Sequence, residues 1–130
     1  MTHPIVSLQT ALVTAFRAEI EDVVVFDAPP VGATGSYVVI ARHDVRPRDG
    51  DLAPGSEHRL VLHVWHMDPS RERALALAEQ LLAVALAADL DDAELTVTHR
   101  RHEGTETVID KDTGRARAAL ALRFHTEPTL

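Results

Sequence analysis

The sequence predicts an α+β fold: a mainly antiparallel sheet of about five strands with two helices packed on one face, in the order α-β-β-β-α-β-β. Three observations carry this expectation. Apolar residues recur at three- and four-residue spacing in two segments, one near the N-terminus and one after residue 68. Apolar and polar residues alternate over residues 58–67 and 115–126, the period of a half-covered strand. Proline and glycine clusters punctuate the segments between them.

The first helix is expected over residues 4–19. Pro4 suits the first helical turn, where its missing N–H costs nothing, and Thr2 or His3 is placed to cap it. Ile5, Leu8, Leu12, Phe16 and Ile20 form its apolar stripe. Residues 23–26 are a β-branched run and read as a short strand. Residues 27–36 hold Pro29, Pro30, Gly32 and Gly35 and read as a loop. A second strand follows over 37–42, apolar enough to suggest cover on both faces. Residues 43–57 contain Pro47, Asp49-Gly50 and Pro54-Gly55 and read as a loop of about a dozen residues, a length that is uncommon unless the loop has work to do. In the strand at 58–67, Leu60, Leu62 and Val64 point one way and Arg59, Val61, His63 and Trp65 the other.

Asp68 is expected to cap the second helix, with Pro69 as its first residue and Ser70 in its first turn. Leu75, Ala78, Leu82, Ala85 and Leu86 form its buried stripe, with Leu81 beside it, and residues 89–92 end it. Residues 93–102 and 105–110 read as one long strand with a bulge at Gly104. Lys111-Asp112-Thr113-Gly114 is a hairpin turn. In the last strand, 115–126, Ala116, Ala118, Leu120, Leu122 and Phe124 face inward, while Arg115, Arg117, Arg123 and His125 face outward. Residues 127–130 are expected to be loose.

At 130 residues the chain is the size of one domain, taken here as 1–130. Apolar residues are 45% but aromatics only 4%, so the core must be built from Leu, Val, Ile and Ala. With no cysteine, disulfides and Cys-ligated metal sites are excluded. Thirteen basic against twenty acidic residues give a net charge of −7, and no basic stripe of any length suggests duplex-DNA binding. Met1-Thr2-His3-Pro4 lacks the basic and apolar regions of a signal peptide, and no segment approaches the roughly 20 apolar residues of a membrane span.

Candidate chemistry is sparse. His63-x-x-His66 and His99-x-x-His102 have metal-ligand spacing for a helix, but both fall on expected strands, where residues three apart point to opposite faces. His58 and His66 share a face but lie about 26 Å apart along a strand. Surface or half-buried histidines are the expectation, with no metal. Gly32-Ala33-Thr34-Gly35-Ser36 lacks the lysine of a phosphate-binding loop and precedes a strand. The carboxylates at 19–22 and 89–92 flank helix ends and read as solvated surface. Ser7, Ser36, Ser56 and Ser70 lack a nucleophile-elbow context, so no catalytic residue and no cofactor are expected.

The order Gly35-Ser36-Tyr37-Val38-Val39-Ile40, then Gly55 to Trp65, then a Leu/Ala-rich helix and a closing Asp112-x-Gly114 turn with Leu120-x-Leu122-Arg123-Phe124, resembles a known family. It is similar to the small tail-completion proteins of tailed phages, prophages and gene transfer agents, over residues 8–126. The resemblance implies a non-enzymatic, ring-forming tail terminator, assembled in the bacterial cytoplasm and carried in the virion or gene transfer agent particle. Such a ring, typically a hexamer, caps the head-proximal end of the tail tube, stops its growth and offers the surface that joins head to tail. Implied partners are other copies of the chain, the tail tube protein and a head-side connector or stopper, with DNA passing through unbound and no membrane. Connector proteins of the head neck have similar size, and a small ligand- or metal-binding α+β domain is the reading from another class. Candidate subunit or tail contacts are Arg46, Arg48, Asp49 and Asp51 in the 44–57 arm and Arg59, Val61 and Trp65 on the strand face turned away from Leu60.

Overall fold

The computed structural model describes residues 2–21, 24–26, 35–48 and 54–129. Helix α1 (Pro4–Glu19) starts on His3, whose ring Nδ1 accepts the N–H of Ile5 at 3.1 Å, so His3 and not Thr2 is the cap. Its spacing buries Leu8, Leu12 and Phe16, with Ile20 just past its end. Strand β1 (Val25–Phe26) is parallel to β2 (Tyr37–Pro47), and β3 (Ser56–Trp65) follows. Helix α2 (Arg71–Ala87), β4 (Leu95–Ile109) and β5 (Ala116–Pro128) complete the order read from the sequence.

The sheet order is β1-β2-β3-β5-β4. Its four long strands are antiparallel, and β1 adds only two parallel rungs, Val25 to Val38 and Phe26 to Val39. Both helices lie on one face. Leu60, Leu62 and Val64 of β3 and Ala116, Ala118, Leu120, Leu122 and Phe124 of β5 point into the core beneath them, as the alternation predicts. Helix α2 lies over β5 and β4 and presents Ala74, Ala78, Leu81 and Ala85. Small residues on this stripe let the helix axis come close to a sheet that itself offers Ala116 and Ala118. That close approach rotates the buried stripe away from the expected one: Leu75 and Leu82 flank it half-buried, and Leu86 is 39% exposed.

Other differences have local causes. Ser70, not Asp68, caps α2, because its Oγ accepts the N–H of Arg73 at 3.2 Å; Asp68 instead holds the Arg73 guanidinium at 2.5 Å. The expected loop at 43–57 is largely strand. β2 runs on to Pro47, pairing Asp44 with Arg59, Val45 with His58, Arg46 with Glu57 and Pro47 with Ser56. Pro47 is tolerated because this part of β2 is a sheet edge, where a missing N–H breaks no ladder. The Arg48 N–H then donates to the Gly55 carbonyl at 2.8 Å. At Gly55 a side chain would meet the Arg48 carbonyl oxygen at 2.5 Å, so the crossing requires glycine. Residues 49–53, including Asp49 and Asp51, and most of the 27–36 loop lie outside the described residues.

The tail expected to be loose is ordered through 129: β5 extends to Pro128, and the Thr129 N–H donates to the Glu94 carbonyl at 2.9 Å. Strand β4 shifts register at two places, between Val97 and His99 and between His102 and Gly104, so the bulge expected at Gly104 falls on Glu103 beside it. The hairpin to β5 turns on Gly114 at φ +71°, and the Asp110 carboxylate accepts the N–H and O–H of Thr113 at 2.9 and 2.7 Å.

Candidate functional site

Two polar constellations stand apart from the apolar core. The first is centred on buried His58 and Thr126, with half-buried Gln9 and His43 beside them. A register shift between Ile40 and Arg42 leaves Ala41 as an extra residue in β2, which inverts the alternation and turns His43 inward beside His58. Gln9 Nε2 lies 3.2 Å from His43 Nδ1, His43 Nε2 lies 2.8 Å from His58 Nδ1, and His58 Nε2 lies 2.9 Å from Thr126 Oγ1. With the Gln9 amide N–H donating, only one proton pattern satisfies the row: His43 Nε2–H donates to His58, and His58 Nε2–H donates to Thr126. Each ring must then be neutral. Burial is the main reason that both hold their pKa at about 4 rather than 6.5. Nearby Asp44 works against the shift at His43, while His43 adds to it at His58.

The sequence reading of surface or half-buried histidines is therefore wrong at His58, which is fully buried. Thr126, His58 and His43 have the order of a nucleophile, a base and an orienting group. Thr126, however, is only 1% exposed, and the space beside it, lined by Ser7 and Ser56, is about 50 Å³. That space suits a water molecule and not a substrate. The row ties α1, β2, β3 and β5 together and satisfies groups that would otherwise be buried without partners.

The remaining histidines are scattered. His63 is half-buried on the other sheet face, its pKa lowered by burial and then by Arg117. His66 follows β3, and its Nδ1 accepts the Asp68 N–H at 3.1 Å. His99 is exposed with its ring 4.7 Å from that of His125, and His102 Nε2 lies 2.7 Å from Thr105 Oγ1. Among the described residues, no group of three or more His, Asp or Glu side chains is arranged to hold a metal ion.

The second constellation is the sheet face opposite the helices. It carries Arg59, Val61 and Trp65 of β3, three of the sequence-derived contact candidates. The Trp65 ring is half-buried, stacked 6.5 Å from Tyr37 and covered by the Arg117 guanidinium at 6.0 Å. Arg123 lies 3.4 Å from Glu57 and 2.7 Å from Glu103. Arg117 lies 3.8 Å from Glu106, and Arg46 lies 3.7 Å from Glu57. Val61, Gly104, Ala119 and Ala121 floor a depression of about 380 Å³, with Glu103 and Glu106 at its rim. Arg46 is thus at the end of this same face, and Arg48 begins the crossing to Gly55. What was missed from sequence is the extent of this face: the arginines of β4 and β5 join those of β3 only through the register.

Comparison with known proteins bears on what such a face is for. The profile of the family described as Tail completion protein gp17 matches residues 7–127. No curated protein matches the chain significantly. Among solved structures, a chain from the virion of a native gene transfer agent particle superposes with a TM-score of 0.82 at 22% identity, covering 97% of this chain and 99% of that chain. The gp17 protein of bacteriophage SPP1 superposes with a TM-score of 0.60 at 17% identity, covering 91% of this chain and 87% of that chain. At these identities the two structures speak to the fold.

Proposed function

The chain belongs to the tail completion protein gp17 family, and we propose that it acts, as one domain over 1–130, as a ring-forming tail terminator. It is a structural component of a phage-like virion or gene transfer agent particle. The single observation that carries this is the family match across residues 7–127, nearly the whole chain. The ring, a hexamer in this reading, caps the head-proximal end of the tail tube, stops tube growth and presents the surface to which the head joins. Its partners are other copies of the chain, the tail tube protein and a head-side connector or stopper, and DNA passes through without specific contacts.

The architecture supports a structural role. A sheet covered by helices on one face only leaves a broad second face, and that face carries Trp65, Val61 and Arg59. Arg46 and Arg48 bring positive charge to the β2–β3 end, where they set register against a neighbour or the tube. The role asks for no catalysis: the histidine row is closed to substrates, and it serves to fix α1 against the sheet. No helix among the described residues is long and apolar enough to cross a membrane.

The test is a particle-producing strain lacking this chain. Electron micrographs should show full heads separated from tails, with tails of uncontrolled length. Normal joined particles at normal yield would sink the proposal.

A further inference from the structure

The two layers of the molecule carry opposite charge. Outward positions of the sheet hold six arginines (Arg42, Arg46, Arg59, Arg101, Arg117 and Arg123) against five carboxylates (Asp44, Glu57, Glu103, Glu106 and Glu127). The helix layer, residues 4–21 and 71–94, holds eight carboxylates against three arginines. The chain as a whole is acidic, so the basic balance of the sheet face is a local feature.

Within that face, Arg59, Arg123 and Arg101 are register partners on the adjacent strands β3, β5 and β4. Like charges placed opposite one another weaken a sheet. Only the middle one is neutralised, by Glu57 and Glu103. Arg59 and Arg101 are exposed and have no ion pair among the described residues. The same face holds three shielded nitrogens without an aligned hydrogen-bond acceptor: Arg117 Nε, Arg123 Nε and His125 Nε2. Arg123 Nε, though 2.7 Å from Glu103, is an ion-pair contact and not an aligned hydrogen bond. A row of this kind is tolerated where a partner brings carboxylates to it.

The helix layer offers such carboxylates around an apolar seat. Ala83, Val84, Ala87 and Ala88 line a groove of about 330 Å³ with Glu19 at its rim. Glu79 is one turn from Ala83 on the exposed side of α2, and Asp89, Asp91 and Asp92 border the adjacent depression.

We propose that the outer sheet face of one copy docks head to tail on the acidic helix layer of a second copy, the Arg59–Arg123–Arg101 row lying against Glu19 and Glu79 around the Ala83–Ala88 groove. This rests on the ring reading above and names the two surfaces that build the ring. A two-fold, sheet-on-sheet contact would set arginine row against arginine row. Strand-to-strand extension is obstructed at both edges: β2 carries the Ala41 bulge and Pro47, and β4 carries register breaks at Thr98 and Glu103. Only the head-to-tail contact joins unlike charges, and heterologous contacts close into rings when the rotation allows.

The natural absence of cysteine makes disulfide capture a clean test. A V61C/A83C variant, mildly oxidised at low ionic strength, should give a ladder of covalent oligomers, whereas V61C or A83C alone should not exceed trace dimer. Adding R59E/R101E should abolish the ladder, and so should adding E19R/E79R. Mixing those two charge variants should restore it, because each then meets an opposite face. Efficient dimers of V61C alone, or a ladder indifferent to both charge reversals, would overturn the proposal. So would retention on duplex DNA that R59E/R101E abolishes while leaving oligomers unchanged, since the row would then serve nucleic acid. Oligomers seen by light scattering with no ladder place the contact elsewhere, against the proposal but not the ring. A chain that is monomeric in solution and absent from particles as a ring defeats both.

Discussion

His58 is the residue at which burial and polarity meet most sharply. Its side chain is fully enclosed, and Thr126 Oγ1 is the acceptor its Nε2–H needs. Thr126→Val keeps the shape and removes the acceptor, so it should cost about 1–3 kcal/mol of stability, read as a lower urea midpoint with unchanged slope. An unchanged midpoint would show the row to be dispensable. The same row sets a pH dependence. His43 and His58 have folded pKa values of about 4, below the ordinary 6.5. Above 6.5 folded and unfolded chains are both neutral at these rings, and stability is complete. As pH falls from 6.5 towards 4, the unfolded chain takes up protons that the folded chain refuses, so stability falls. Discounted for the partial exposure of His43 and the coupling of the rings, the loss between pH 7 and 5 should be about 1–3 kcal/mol. A flat stability profile over that window would contradict the neutral assignment. In the sequence, alternation already put His58 on the Leu60 face, but nothing local announced its partner. His43 turns inward only because Ala41 is an extra residue, and a bulge is a property of two strands in register.

At the scale of elements, the strands with clean alternation were legible to the residue: the inward sets of β3 and β5 are those their period predicts. So was α1, because Pro4 fixes its start and its stripe is continuous. The β2–β3 arm was not. Charged residues and Pro47 after Arg42 have poor strand propensity, and pairing to β3 overrides it. Helix α2 was placed correctly but rotated, since an Ala/Leu-rich helix has a shallow amphipathic signal and the sheet selects the small side. The arm carries a separable prediction. Replacing residues 48–54 with a short Gly/Ser link leaves the Pro47–Ser56 rung and the core intact, so thermal stability should change little. Head joining should fail, seen as unjoined heads and tails in micrographs. Normal particles from that variant would make the arm a plain connection.

Across the whole molecule, charge and cover divide in the same way: an acidic layer of helices shields the core on one side, and an arginine-bearing sheet face is left on the other. Composition alone gave the net charge of −7 and hid this division, because opposite charges on different faces cancel in a sum. Family membership then gives the two-sided shape a purpose, since a tail-completion part assembles with other tail and head components. The central claim is that the chain completes tails, and extract complementation measures it most directly. Extracts of a producing strain lacking this chain should contain heads and tails that do not join, and adding the purified protein should restore joined particles in proportion to the amount added. Heads and tails that join equally well without the addition, or that stay apart with it, would contradict the claim.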